Sequence, residues 1–126
     1  MVYLGIDFGL KRIGVAISYY GKSVEAVGVF SPKEFKKNIS EIVNKHGVEK
    51  IIMGEVTNKL ATKAKFFAKD LEQLTGIKIL ITDETLSSQE ALKILISTQS
   101  SKKKRRTKLD AFAACLILEN YLQNLE

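Results

Sequence analysis

The sequence is poor in the groups that hold soft metals: its 126 residues include one cysteine and one histidine. A lone Cys115 excludes an intramolecular disulfide and a cysteine-built zinc site, and it fits a reducing, cytoplasmic setting. A lone His46 excludes a His-rich metal site and any pair of coupled imidazoles. Any metal here must be held by carboxylates. No apolar run approaches the roughly 18 residues a membrane span needs, and the N-terminus shows no signal-peptide pattern. No membrane partner is expected.

What the chain does contain is a globular composition, 45% hydrophobic, which argues against disorder. Its length suits one domain with a real core, so 1–126 is read as a single unit. The net charge of +6 favours a polyanionic partner, and nucleic acid is the natural one.

The opening stretch, Tyr3-Leu4-Gly5-Ile6-Asp7-Phe8-Gly9, places one acid inside an apolar strand that ends at a glycine. A carboxylate in such a strand is costly unless something pairs with it. A divalent cation is a suitable partner, since hard oxygen donors match it. Val2–Phe8, Arg12–Ser18 and Ser23–Phe30 read as a three-stranded meander. Ser31, Pro32 and Glu34 then form a capping box with proline in the first helical turn. Phe35, Ile39, Ile42 and Val43 give that helix its buried face, and Gly47 closes it.

Lys50–Gly54 and Ile77–Thr82 are nearly continuous apolar runs, as expected of parallel strands covered on both faces. Between them a helix is predicted from about Asn58 to Leu74. Ser87 and Glu90 open a further helix, residues 97–101 have loop composition, and a last helix is predicted from Lys108 to about Asn124. The order implies an α/β fold: a mixed five-stranded sheet with helices on both faces. Its first, fourth and fifth strands run parallel, and open α/β sheets place sites at the carboxyl ends of such strands.

The acids collect at that edge. Asp7 is near the end of strand one, Glu55 follows strand four, Asp83 and Glu84 follow strand five, and Asp110 falls in the first turn expected for the last helix. Converging carboxylates repel unless a cation neutralises them. Two Mg²⁺ or Mn²⁺ ions about 4 Å apart would do so and would serve phosphodiester hydrolysis. Each acid also has a plain alternative. Asp7 could be a satisfied core or turn residue, Glu55 and Glu84 solvated loop acids, and Asp110 a favourable charge at a helix N-terminus.

Lys102, Lys103, Lys104, Arg105, Arg106 and Lys108 put six cations in seven residues just before Asp110. With Lys11 and Arg12 they are candidate nucleic-acid contacts. Phosphate contacts of this kind give affinity without sequence specificity. The plain alternative is a solvated segment.

These residues resemble the YqgF/RuvX group of Holliday junction resolvases and pre-16S rRNA processing nucleases. The resemblance covers essentially the whole chain. It rests on Gly5-Ile6-Asp7-Phe8-Gly9-Leu10-Lys11-Arg12-Ile13-Gly14-Val15-Ala16, on Asp83-Glu84-Thr85-Leu86-Ser87-Ser88, and on Leu109-Asp110-Ala111-Phe112-Ala113-Ala114. It implies a ribonuclease H-like fold and a metal-binding catalytic triad of Asp7, Glu84 and Asp110. Two positions depart from the family pattern. Thr85 stands where arginine is usual, and Gly54-Glu55-Val56 replaces Gly-Leu-Pro, which makes Glu55 a candidate fourth ligand.

Three functions are therefore in play. The first is a metal-dependent nuclease, acting on pre-16S rRNA or on branched DNA as a monomer or homodimer. The second is a nucleic-acid-binding module on an inactive scaffold, which Thr85 leaves open. The third follows from the Asp7-Phe8-Gly9 turn, which also looks like the phosphate loop of sugar kinases, actin and heat-shock ATPases. Those need two such domains around the nucleotide, and this chain supplies one.

Overall fold

A computed structural model describes residues 1–21, 23–57, 59–82 and 102–125, and within 102–110 the backbone alone. The strands are β1 (Val2–Asp7), β2 (Ile13–Ser18), β3 (Glu25–Phe30), β4 (Val48–Gly54) and β5 (Ile79–Thr82). The helices are α1 (Pro32–His46), α2 (Ala61–Thr75) and α3 (Lys102–Gln123). Together the strands make one sheet in the order β3-β2-β1-β4-β5. β1 pairs antiparallel with β2 and parallel with β4, and β4 pairs parallel with β5.

Period-2 alternation divides the sheet residues between two helical layers. Leu4, Ile6, Val15, Ile17, Ile51, Met53 and Ile79 join Phe35 and Ile39 of α1 and Ala64, Phe67 and Leu71 of α2 in one buried cluster. Ala16 and Ile52 face the other way, against Ala114 and Leu118 of α3. Tyr3, Gly5 and Asp7 belong to that second face by alternation along β1.

α1 forms where its caps dictate. The Glu34 N–H donates to Ser31 Oγ at 3.1 Å, and the Ser31 N–H donates to Glu34 Oε1 at 3.2 Å. That exchange holds the Glu34 carboxyl below its usual range. Gly47 ends the helix in the left-handed region at φ 67°, where a side chain would be strained. Ser31→Ala should lower stability by about 1 kcal/mol, read as the urea midpoint at unchanged slope.

Several predicted boundaries shift. α2 begins at Ala61 rather than Asn58, because its N-cap position is Leu60, which has no side chain able to cap. Leu74, expected on the buried face, is 47% exposed. β5 begins at Ile79 rather than Ile77. The Ile77 N–H turns back to Thr75 Oγ1, and the Ile79 N–H is taken by Glu72 Oε2. The largest correction is α3, which starts at Lys102, not Lys108. Lysine and arginine are good helix formers, so the basic run extends the helix instead of preceding it. The helix expected from Ser87 and the loop at 97–101 lie outside the described residues. No helix among the described residues is long and apolar enough to cross a membrane.

Candidate functional site

Asp7 is the last residue of β1 and is half-buried, opposite Gly14 in the β1–β2 register. The chain must reverse at once to enter β2, and Gly9 makes this turn close. A Cβ at Gly9 would come within 2.5 Å of the Arg12 carbonyl oxygen, so any side chain there forces the backbone to shift. Lys11 and Arg12 lie exposed in the same turn.

Glu55 follows β4 and is exposed. Its backbone N–H donates to the Thr82 carbonyl at 2.9 Å, which ties the ends of β4 and β5 together. Among the described residues a cleft of about 500 Å³ opens beside it, between α2 and the β4–β5 edge, with Lys65 and Lys69 among its walls. Asp83, Glu84 and Thr85 come directly after Thr82 in sequence and lie outside the described residues.

The third contribution to this edge is α3, and its seat on the sheet is tight. A Cβ built on Gly5 would lie 2.9 Å from Leu118 Cβ and 3.1 Å from the Ala114 carbonyl oxygen. At Gly54 a Cβ would meet Ile117 Cδ1 at 2.7 Å. Farther down, the Tyr3 and Tyr121 rings sit 6.2 Å apart. Tyr3 thus pairs with Tyr121 while Gly5 pairs with Leu118 and Ala114, so α3 runs antiparallel to β1. One further turn toward the helix N-terminus is residue 110, on the stripe of Ala114 and Leu118, at the level where β1 ends in Asp7.

Sequence reasoning placed Asp110 in a first helical turn. It is instead the ninth residue of α3. A helix dipole acts over its first turn only, so that alternative for Asp110 loses its physical basis. The basic run fills the turns before it. Among the described residues no group of three or more His, Cys, Asp or Glu side chains converges. Of the four expected ligands, Asp7 and Glu55 have described side chains.

Gly5 and Gly54 were not singled out as site residues. Both allow α3 to approach the strands that end in Asp7 and precede Glu55. The only sequence signal for them is a glycine at an inward strand position, where a close approach of neighbouring backbone is one of several explanations.

The family model described as "RuvX: Holliday junction resolvase" matches residues 1–124. The chain belongs to the RuvX family. Its relatives include a protein of Carboxydothermus hydrogenoformans, 39% identical across 97% of this chain and 96% of its own length. Another, from Chlorobaculum tepidum, is 37% identical over 96% of this chain and 92% of its own. Both carry the name "Putative pre-16S rRNA nuclease". Among solved structures, Thermus thermophilus RuvC in complex with a Holliday junction substrate superposes with a TM-score of 0.63. That match covers 99% of this chain and 95% of RuvC at 15% identity, a likeness of fold. The α/β architecture of this RuvX chain is therefore ribonuclease H-like, and its family is one of nucleases.

Within the RuvX chain, Cys115 sits on α3 beside the site-forming stripe. Burial pushes its thiol up to about 11, and the Glu119 charge one turn on adds to the effect. The thiol should react with a disulfide reagent at pH 8 far more slowly in the folded chain than in urea. The raised value also fixes a sign. The unfolded chain releases this proton first, so the thiol's contribution to stability should be level below about pH 9 and fall as pH rises toward 11.

Proposed function

We propose that this chain is a divalent-metal-dependent nuclease that processes the 5′ end of pre-16S rRNA. The observation that carries the reading is the seat of α3: Gly5 brings the helix bearing Asp110 against the strand ending in Asp7. Supporting it are the curated relatives of similar length, named "Putative pre-16S rRNA nuclease". The donor set suits a hard cation, since the site edge offers oxygen ligands and the only histidine, His46, lies at the far end of α1.

Asp7, Glu84 and Asp110 would hold the metal, with Glu55 as a fourth ligand. Bound there, Mg²⁺ or Mn²⁺ supplies Lewis acidity, lowering the pKa of a water and neutralising charge on the phosphate and leaving oxygens. Asp7 is the central carboxylate, placed by the end of β1 where the Gly9 turn leaves it reachable. Asp110 would complete the ligand shell and orient the attacking water. Lys11, Arg12 and the cations of the first α3 turns hold the phosphate backbone, which makes binding steeply salt-dependent. Thr85, standing where the family usually has arginine, leaves more of that task to these residues.

A second reading, resolution of four-way DNA junctions, rests on the family description. Symmetric cutting of a junction needs two active sites and hence a homodimer, whereas trimming an rRNA end needs one. The deciding experiment offers a pre-16S 5′-end transcript and a four-way junction in parallel with Mg²⁺ or Mn²⁺, with solution mass measured alongside. Cleavage of the transcript by a monomer supports the proposal. Paired junction cuts by a dimer replace it with the second reading.

A further inference from the structure

The two helices on the face opposite α3 follow different rules. α1 follows the helix macrodipole apart from Lys33, with Glu34 in its first turn and Lys45 and His46 in its last. α2 does the reverse. Lys59, Lys63, Lys65 and Lys69 are all exposed on its first two-thirds or just before it, and its first turn holds no acid. Cations near a helix N-terminus destabilise it, and like charges four residues apart add to the cost. Local rules broken without a structural gain point to function.

Three acids of the two helices are already engaged. Asp70 pairs with Lys36 at 2.7 Å, Glu72 accepts the Ile79 N–H at 2.8 Å, and Glu34 is committed to its capping box. No ion pair to these four lysines occurs among the described residues. In their midst Phe66 is 62% exposed, three residues from both Lys63 and Lys69 and so beside each on the helix surface.

α1 extends this surface. The contacts Lys36–Asp70 and Ser40–Leu74 share one sequence offset of 34, so the helices run parallel. The same offset sets exposed Lys33 level with Phe67, beside Phe66. β4 runs up to the site edge and α2 starts there, so Lys59 and Lys63 stand at that edge, across the sheet from the basic turns of α3.

We propose that Lys33, Lys59, Lys63 and Phe66 form a second nucleic-acid contact, which takes an unpaired strand leaving the cleavage site. The lysines track phosphates, while Phe66 gives a base a stacking face, which a base inside a duplex cannot use. This rests on the nuclease reading for the substrate class and adds what that reading lacks: the substrate carries a single-stranded flank that crosses the edge onto α2.

The test separates binding from cleavage. A labelled RNA hairpin with a ten-nucleotide single-stranded extension, and the same hairpin blunt-ended, are titrated in EDTA with wild type, Phe66→Ala and the Lys59→Ala/Lys63→Ala pair. Phe66→Ala should weaken the extended hairpin about 5- to 150-fold and leave the blunt one unchanged. The lysine pair should flatten the salt dependence for the extended hairpin by about 0.7 per lysine in the log–log slope. Equal effects on both hairpins, or no effect on either, overturn the proposal. Melting temperatures matched to wild type exclude misfolding, and since no cleavage is read, the outcome is independent of whether the chain cuts RNA.

Discussion

Asp7→Asn should give a folded protein whose Mg²⁺- or Mn²⁺-dependent cleavage is about a hundredfold or more slower than wild type. Asparagine keeps the shape and hydrogen-bonding reach of the side chain but removes the charge that a hard cation needs. Metal-held charge stabilisation amounts to several kcal/mol of the barrier, and each 1.4 kcal/mol is a factor of ten. A second readout needs no substrate. If Asp7 is a ligand, Mg²⁺ raises the wild-type melting temperature by mass action, and Asp7→Asn shrinks that increment. A variant that cleaves at the wild-type rate, with an unchanged Mg²⁺ increment, would remove Asp7 from the site.

That experiment isolates a residue the sequence marked clearly. An acid between Ile6 and Phe8 contradicts its own strand, and the contradiction is visible without coordinates. α1 was equally legible, because Ser31, Pro32, Glu34 and Gly47 act on neighbouring backbone at short range. The parallel strands were legible as apolar runs, and their shared direction follows from the helices that link them.

What escaped the sequence depended on packing. The start of α2 carries no capping side chain at Leu60, so no local signal sets it. The start of α3 was concealed because Lys102 to Lys108 has no apolar periodicity, although its residues favour helix. Once those turns are helical, Asp110 moves from a first turn into the helix interior, and the case for it as a mere dipole partner weakens. Gly5 belongs to the opening motif, yet its packing role is not legible there. A glycine in a strand predicts a bulge, a bend or a close neighbour equally well, and only Leu118 shows which one applies.

Gly5→Ala should therefore disturb both fold and site. The added methyl meets Leu118 Cβ at 2.9 Å and the Ala114 carbonyl at 3.1 Å, and neither atom can swing aside as a side-chain tip can. α3 must lift from β1, at a cost of about 1–3 kcal/mol for an overpacked contact, or about 4–12 °C in melting temperature. Because Asp110 rides on that helix, cleavage should fall well below the melting range too; a displacement near 1 Å can cost about a hundredfold. Gly54→Ala provides the contrast. Its closest contact is Ile117 Cδ1 at 2.7 Å, the flexible end of a side chain that a rotamer change can move, so its cost should stay below about 1.5 kcal/mol. If Gly5→Ala melts and cleaves like wild type while Gly54→Ala does not, α3 is not seated on β1 in the way that brings residue 110 to the level of Asp7.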